Sequence, residues 1–176
     1  MTISRYPLTL ACQAFTLAAT LKHHWLVSVA AVVMLAVHSP FSLADNSTKS
    51  TRSVASASAP AAIGPYVQAV RAGGALYLSG QLPIDPATGA LAADGSIEGQ
   101  TRQVLANLKA ILAADGLTLG DVVSTTVYLQ DLNDFAQVNA VYATEFSQSP
   151  PARATVQVAA LPKNARLEIS AIAQRH

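Results

Sequence analysis

The chain has 176 residues, of which 51% are hydrophobic, and it carries a formal net charge of +1. This length predicts one compact domain with some additional sequence, because two full domains would be crowded. A charge so close to zero excludes the broadly basic surface on which nucleic-acid binding depends.

Residues 1–44 have the pattern of an export signal. Basic residues precede an apolar run over Trp25–Val37, which is about two thirds of the ~20 residues that a membrane-spanning helix needs. Ser42-Leu43-Ala44 supplies the small residues of a cleavage site, so we predict a cleaved signal peptide and a periplasmic or secreted protein. The alternatives are an uncleaved anchor, or a true start at Met34 that would leave the protein in the cytoplasm.

Cleavage after residue 44 would change the chemistry available to the chain. It removes Cys12, the only cysteine, and three of the four histidines, so that only the terminal His176 remains. Loss of Arg5 and Lys22 leaves nine basic against ten acidic residues, a charge near −1. Catalytic triads and histidine or cysteine metal sites then lack their groups. No phosphate-binding glycine loop is present either, so we expect neither cofactor nor metal.

The first predicted elements follow a leader of low complexity. Residues 45–59 are rich in Ser, Ala and Thr, which is typical of a flexible segment, and they place the folded domain at residues 60–176. Strands are predicted over Val67–Val70 and Ala75–Ser79. Glycines in the Arg71–Gly74 segment between them indicate a hairpin.

Two helices and three further strands follow along the chain. Apolar side chains recur at helical spacing over Ile97–Ala114 and Leu132–Phe146. Strands are predicted over Asp121–Leu129, Arg153–Val158 and Leu167–Ala173. This order predicts an α+β fold in which two helices cover one face of a mixed sheet. The uncovered apolar face predicts a homo-oligomer.

Two charged residues are the main candidates for a site. Arg153 begins a strand after two prolines, and its planar fork suits a carboxylate. Glu168 shares a strand face with Ser170 and Ile172, where a carboxylate could orient a water. An ordinary exposed strand residue is the commoner case for both types. Weaker candidates with a phenol, a hydroxyl and an amide are Tyr66, Ser79 and Asn139.

A set of short segments connects these candidates. The segments are Ile63–Val70, Leu78–Pro83, Asp131–Phe135 with Val138-Asn139, Pro151–Arg153, Leu161–Lys163 and Leu167–Ile169. In this order and at this spacing they resemble the RidA/YjgF family, over a stretch from about Pro60 to Ala173. The resemblance implies a chorismate-mutase-like α+β fold, a homotrimer with three sites in the clefts between subunits, and no cofactor.

The activity implied by the resemblance is the hydrolysis of reactive 2-imino acids and enamines, such as 2-aminoacrylate and 2-iminobutanoate, to 2-oxo acids and ammonia. By position, Arg153 matches the arginine that binds the substrate carboxylate, and Glu168 matches the glutamate that positions the attacking water. The resemblance assigns the lining of the site to Tyr66, Ser79, Gly80 and Asn139.

Three features depart from active members of that family. Thr155 stands where some members have a cysteine, and Ser170 stands where others have a second glutamate. The predicted export also differs, since the dehydratases that generate imines are cytoplasmic. Two alternative functions therefore stay open: a non-catalytic binder of small carboxylates in the same cleft, and an endoribonuclease, which the near-neutral charge disfavours.

Overall fold

The computed structural model describes residues 51–92 and 94–175. The predicted signal peptide, residues 45–50 of the predicted leader and His176 lie outside these residues. Within them, no helix is both long enough and apolar enough to cross a membrane.

Six strands and two helices make up the described domain. They are β1 (Arg52–Val54), β2 (Ala69–Ala72), β3 (Ala75–Gln81), α1 (Ile97–Ala114), β4 (Val122–Leu129), α2 (Phe135–Glu145), β5 (Ala152–Gln157) and β6 (Leu167–Gln174). The strands form one sheet in the order β1-β2-β3-β6-β4-β5. Only the neighbours β4 and β5 run parallel, and the other four pairs are antiparallel. The predicted mixed sheet with two helices is confirmed.

Helix α1 has the bounds that the sequence predicts. It begins after Ser96, whose side chain accepts a hydrogen bond from the backbone N–H of Gly99, and it ends before Gly116, which has a φ of +70°. Its buried face includes Leu105, Leu108 and Leu112. Capping and periodicity agree here, so local sequence was sufficient to place this helix.

Helix α2 begins three residues later than predicted. The predicted first turn is a 3₁₀ turn over Leu132–Asp134, capped by the Asp131 side chain. The side-chain oxygen of Gln157 also accepts a hydrogen bond from the backbone N–H of Leu132 at 3.0 Å. A cap from β5, distant in sequence, therefore stabilises a tighter turn where periodicity alone indicated a helix.

The predicted flexible leader is wrong over residues 52–59. Strand β1 pairs with β2, Val54 and Ala59 are buried, and Arg52 forms an ion pair with Asp115 at the end of α1. Arg71 of β2 binds the same carboxylate. A three-residue strand has no periodic signal, and contacts distant in sequence make this segment part of the domain.

The two helices cover one face of the sheet, and the core lies between them. Alternate residues of the strands point to the opposite face, which we call the open face. The open face includes Val70, Tyr77, Ser79, Ser124, Thr126, Tyr128, Ala154, Val156, Glu168, Ser170 and Ile172. Glu168 is the only charged member of this set, and Tyr77 is 49% exposed. The predicted uncovered face is confirmed for the described domain.

Candidate active site

Arg153 lies on β5, at the edge of the sheet. Its register partner on β4 is Thr125, whose buried side chain points towards the helices and bonds to Tyr142 of α2. Register neighbours in a sheet direct their side chains to the same face. The Arg153 side chain therefore extends over the helix side of the sheet, and it is exposed to solvent.

Two aromatic rings of α2 hold the Arg153 guanidinium. Its central carbon lies 4.8 Å from the ring centroid of Tyr142 and 5.7 Å from that of Phe135, within the range of cation–π attraction. Across residues 51–92 and 94–175, no hydrogen bond or ion pair involves this side chain. Its N–H groups are thus positioned by stacking and available to a ligand.

Asn139 lies on the same side of α2 as these rings. It follows Phe135 by four residues and precedes Tyr142 by three, the spacings at which helical side chains are neighbours. It is half-buried. We call Arg153, Phe135, Asn139 and Tyr142 the edge cluster; it combines a guanidinium with an amide, and so offers donors to a carboxylate.

Glu168 lies on the open face, between the buried residues Leu167 and Ile169 of β6. Its carboxylate extends over Gly80 so closely that a Cβ at that position would overlap it. Burial raises the pKa of the Glu168 carboxyl above its ordinary value. A half-buried carboxylate with a raised pKa is suited to accept a proton from water.

Ser79 and Gly80 lie where the pairing of β3 with β6 shifts register. The Ser79 hydroxyl donates to the backbone oxygen of Val67 at 2.7 Å. We call Ser79, Gly80 and Glu168 the face cluster. This irregularity places the backbone of β3 at Gly80 directly against the Glu168 carboxylate. Glycine is needed at this position because any side chain would overlap the carboxylate.

Tyr66 belongs to a loop that Gln68 holds in place. The buried Gln68 side chain accepts from the backbone N–H of Ser56 at 2.6 Å and donates to the carbonyl of Pro60 at 2.7 Å. The Tyr66 hydroxyl accepts from the backbone N–H of Ile63, and its ring is 47% exposed. Tyr66 and Gly80 line one small recess, so this loop extends the site at the open face.

The sheet separates the two clusters. Arg153 is in register with Thr125, on the helix side, whereas Glu168 is in register with Tyr128, three residues further along β4 and on the open face. A substrate of a few atoms cannot span the thickness of a sheet. Within one protomer, the structure places Asn139 on the same side of α2 as the rings beneath Arg153. It brings Glu168 against Gly80, next to Ser79, but it does not bring these two groups of residues together.

Other features of the domain do not add a second catalytic centre. Among residues 51–92 and 94–175, no group of three or more His, Cys, Asp or Glu side chains is placed to hold a metal ion. A groove between the ends of α1 and α2, bordered by Lys109, Leu117 and Phe146, contains none of the predicted site residues.

Sequence reasoning missed the residues that support Arg153 and Tyr66. Tyr142 was only one residue of the predicted helix Leu132–Phe146, and Thr125 and Gln68 were not singled out. A buried tyrosine usually has a hydrogen-bond partner for its hydroxyl. A tyrosine in the predicted helix therefore already indicated that a polar partner lies nearby. The partner itself, Thr125, could be identified only once β4 and α2 had been placed against each other.

Comparison with known proteins agrees with this fold. Residues 56–175 match the model of the family described as Endoribonuclease L-PSP. The 2-iminobutanoate/2-iminopropanoate deaminase of Salmonella typhimurium is 53% identical over 128 residues, which cover 71% of this chain and 98% of the relative.

Two solved structures from Escherichia coli are also similar. That of the YjgF gene product has a TM-score of 0.68 at 50% identity and covers 71% of this chain and 99% of its own. That of TdcF with bound serine has a TM-score of 0.68 at 46% identity, with the same coverage of both chains. The described domain therefore has the fold of these structures.

Proposed function

This chain belongs to the RidA/YjgF family, whose model is described as Endoribonuclease L-PSP, and we propose that it is a 2-iminobutanoate/2-iminopropanoate deaminase. It hydrolyses a 2-imino acid to the 2-oxo acid and ammonia. The observation that carries this proposal is the Arg153 guanidinium, which is stacked on Tyr142 and has no partner among the described residues. A relative with that activity at 53% identity supports it.

The proposed reaction needs a substrate held in a fixed orientation and one group that accepts a proton from water. Arg153 binds the substrate carboxylate through two parallel hydrogen bonds, and Asn139 adds a further polar contact at the same cluster. Glu168 accepts a proton as water adds to the carbon of the protonated imine, which gives a neutral tetrahedral carbinolamine. Glu168 returns that proton to the nitrogen, the C–N bond breaks and ammonia leaves. The carbinolamine hydroxyl gives up its own proton to the Glu168 carboxylate as the carbonyl forms. No cofactor takes part, because the imine carbon is already electrophilic.

The site of this reaction requires two subunits. Arg153 and Glu168 lie on opposite sides of one sheet, so a substrate that touches both must bind between Arg153 of one subunit and Glu168 of the next. The almost uncharged open face supports burial against another copy. The proposed assembly is a homotrimer with three such clefts, as the family resemblance implies, and Tyr66, Ser79 and Gly80 line each cleft.

Assembly is tested by placing a charge on the open face. Tyr77→Glu should convert the trimer to monomers and abolish activity, because a carboxylate at the centre of this face would be buried without a partner. Sedimentation velocity measures the change, with Arg102→Glu on the exposed side of α1 as the matched control. A monomeric wild-type protein with full activity would contradict the assembly.

The activity is tested by ammonia release from 2-iminobutanoate generated in the assay by an amino acid oxidase. Arg153→Ala should lower kcat/KM by about 10²-fold, the range for removing one side of a buried charged contact. Arg153→Lys should retain part of the rate, since lysine keeps the charge but not the fork. Arg102→Ala is the control and should leave the rate unchanged.

Two other functions have distinct outcomes in the same experiment. A protein that binds 2-oxobutanoate but accelerates no imine hydrolysis would be a carboxylate-binding module. Cleavage of RNA that survives Arg153→Ala would favour the endoribonuclease that the family description names. The Arg153 guanidinium, available to a ligand, favours a small carboxylate. An extended RNA backbone would instead need a broadly basic surface.

The proposal includes export to the periplasm or the medium. Its support is the sequence pattern of residues 1–44, together with the family match, which starts only at residue 56. Cleavage after Ala44 would leave β1 intact, since that strand begins at Arg52. N-terminal sequencing should find Asp45 as the first residue of exported protein. A full-length chain confined to the cytoplasm would overturn export without affecting the proposed activity.

A further inference from the structure

Tyr142 is held in place by a ring stack and a hydrogen bond as well as by burial in the core. The residue is only 6% exposed, its ring stacks on Phe146 with centroids 4.4 Å apart, and its hydroxyl lies 2.8 Å from the Thr125 hydroxyl. The Arg153 guanidinium lies over this ring, with its central carbon 4.8 Å from the centroid of Tyr142. The ring therefore has both its position and its rotation determined before any ligand arrives.

Thr125 connects this constraint to the strand that carries Arg153. Thr125 and Arg153 are directly opposite each other on β4 and β5, and Thr125 is 2% exposed. Burial raises the pKa of the Tyr142 phenol, although the hydrogen bond with Thr125 and the charge of Arg153 act in the opposite direction. The phenol thus keeps its proton, and the hydrogen bond between the two hydroxyls persists.

An arginine without hydrogen-bond partners has many side-chain conformations, and restricting them costs free energy when a ligand binds. A flat ring beneath the guanidinium restricts its plane, because the guanidinium stacks on aromatic faces. A carboxylate binds best when the guanidinium plane is already oriented towards it, since its two oxygens accept two parallel N–H bonds. Restriction of the guanidinium in advance should therefore strengthen carboxylate binding.

We propose that Tyr142, anchored by Thr125, is a positioning residue that sets the plane of the Arg153 guanidinium and so determines the affinity for the substrate carboxylate. This inference rests on the function proposed above, because it assigns Arg153 to the carboxylate. Tyr142 itself acts through Arg153 and does not touch the reacting atoms.

The experiment separates orientation from folding. Tyr142→Phe and Thr125→Val each remove the same hydrogen bond and keep the ring, and each should raise KM about threefold. The double variant should be no worse than either single one. Tyr142→Leu removes the ring and should raise KM about tenfold. In all of them kcat should change less than about twofold, since the imine carbon and Glu168 are unaffected.

Two controls make the inference falsifiable. Val141→Ala removes a buried side chain from the same helix and should lower the melting temperature without raising KM. Arg153→Lys replaces the planar guanidinium with an ammonium group that has no plane to orient. In this background KM should no longer change on Tyr142→Phe or Thr125→Val. Equal effects in the two backgrounds, or a KM increase in Val141→Ala, would overturn the positioning role.

The outcome can be distinguished from failure of the proposed activity. The dissociation constant for 2-oxobutanoate, measured by calorimetry, should follow the same pattern as KM across the variants. Wild-type protein that binds 2-oxobutanoate but hydrolyses no imine would refute the deaminase, and the binding series would still decide the role of Tyr142. If wild-type protein neither binds nor hydrolyses, both proposals are wrong.

Discussion

The edge cluster and the face cluster hold their charged groups in opposite ways. Arg153 is exposed and lies on aromatic rings, with no polar partner among the described residues. Glu168 is half-buried beside a glycine, where burial raises the pKa of its carboxyl. The cation therefore remains accessible to an anionic ligand, while the carboxylate becomes a stronger proton acceptor. Each environment suits the chemistry that its own residue is proposed to perform.

The two clusters also differ in what they need from another subunit. The edge cluster is complete within one chain, since β5 and α2 supply all of its members. The face cluster lies on a surface that one chain leaves uncovered. Because the sheet keeps the clusters apart, a functional cleft depends on which face of one subunit meets which edge of the next.

The largest expected effect comes from mixing variants that damage one cluster each. Arg153→Ala and Glu168→Gln should both be nearly inactive alone. After unfolding and refolding together, about a quarter of the clefts should combine an intact arginine with an intact glutamate if each cleft takes one from each subunit. Ammonia release from 2-iminobutanoate measures the recovery. Refolding each variant by itself is the control.

If mass spectrometry shows trimers that contain both variants but the mixture recovers no activity, the two-subunit site is contradicted. This result would mean that the two clusters act within one chain or that only one of them acts. The outcome thus decides whether the separation seen within one protomer is functional.

A smaller effect is expected from damage to the face cluster alone. Gly80→Ala introduces a Cβ that overlaps the Glu168 carboxylate, so the carboxylate must move, and kcat should fall about 10²-fold, the range for losing a general base. The affinity for 2-oxobutanoate should fall less than kcat, because the Arg153 that binds the carboxylate in the proposed cleft belongs to the neighbouring subunit. Steady-state kinetics and calorimetry measure the two quantities.

Gly74→Ala is the matched control for this substitution. Its Cβ would meet only the Gln174 side chain, at 3.9 Å, so kcat should be retained. A fall in 2-oxobutanoate affinity as large as the fall in kcat for Gly80→Ala would show that the clusters are not independent.

The smallest expected effect is in the pH dependence. Glu168 must be ionised to accept a proton, and burial raises its pKa. The kcat/KM of the wild type should therefore decline as the pH falls through a value above that of an ordinary glutamate. Glu168→Gln should lack this acidic limb in its residual activity, whereas Glu98→Gln, in the first turn of α1, should keep it. An unchanged limb in Glu168→Gln would assign it to another group.

The same raised pKa affects stability with a definite sign. The folded state holds the Glu168 proton more tightly than the unfolded state does, so the free energy of unfolding should fall as the pH rises from the ordinary glutamate pKa through the raised one. Chemical denaturation of wild type and Glu168→Gln at several pH values measures this. The difference between the two curves should change only within that interval and stay constant on either side of it.

Local sequence signals predicted some elements well and others poorly. Helix α1 was predicted with its observed bounds from its periodic apolar face, and the structure adds a serine cap at its first turn that agrees with them. Strand β1 was missed, and α2 starts later than predicted, because both depend on partners far along the chain, Asp115 and Gln157. Pairing across a sheet is not encoded in a short window of sequence.

By itself, the sequence determined the residue inventory of the domain and the alternation that directs Arg153 and Glu168 out of their strands. Its ordered segments also identified the family, and the resemblance predicted a role for each of the two residues. The tertiary structure decided that the two residues lie on opposite sides of one sheet, and that Tyr142 and Thr125 support the guanidinium. Side-chain alternation specifies two faces for each strand, but only the register among strands and the packing of helices decide which face each residue occupies.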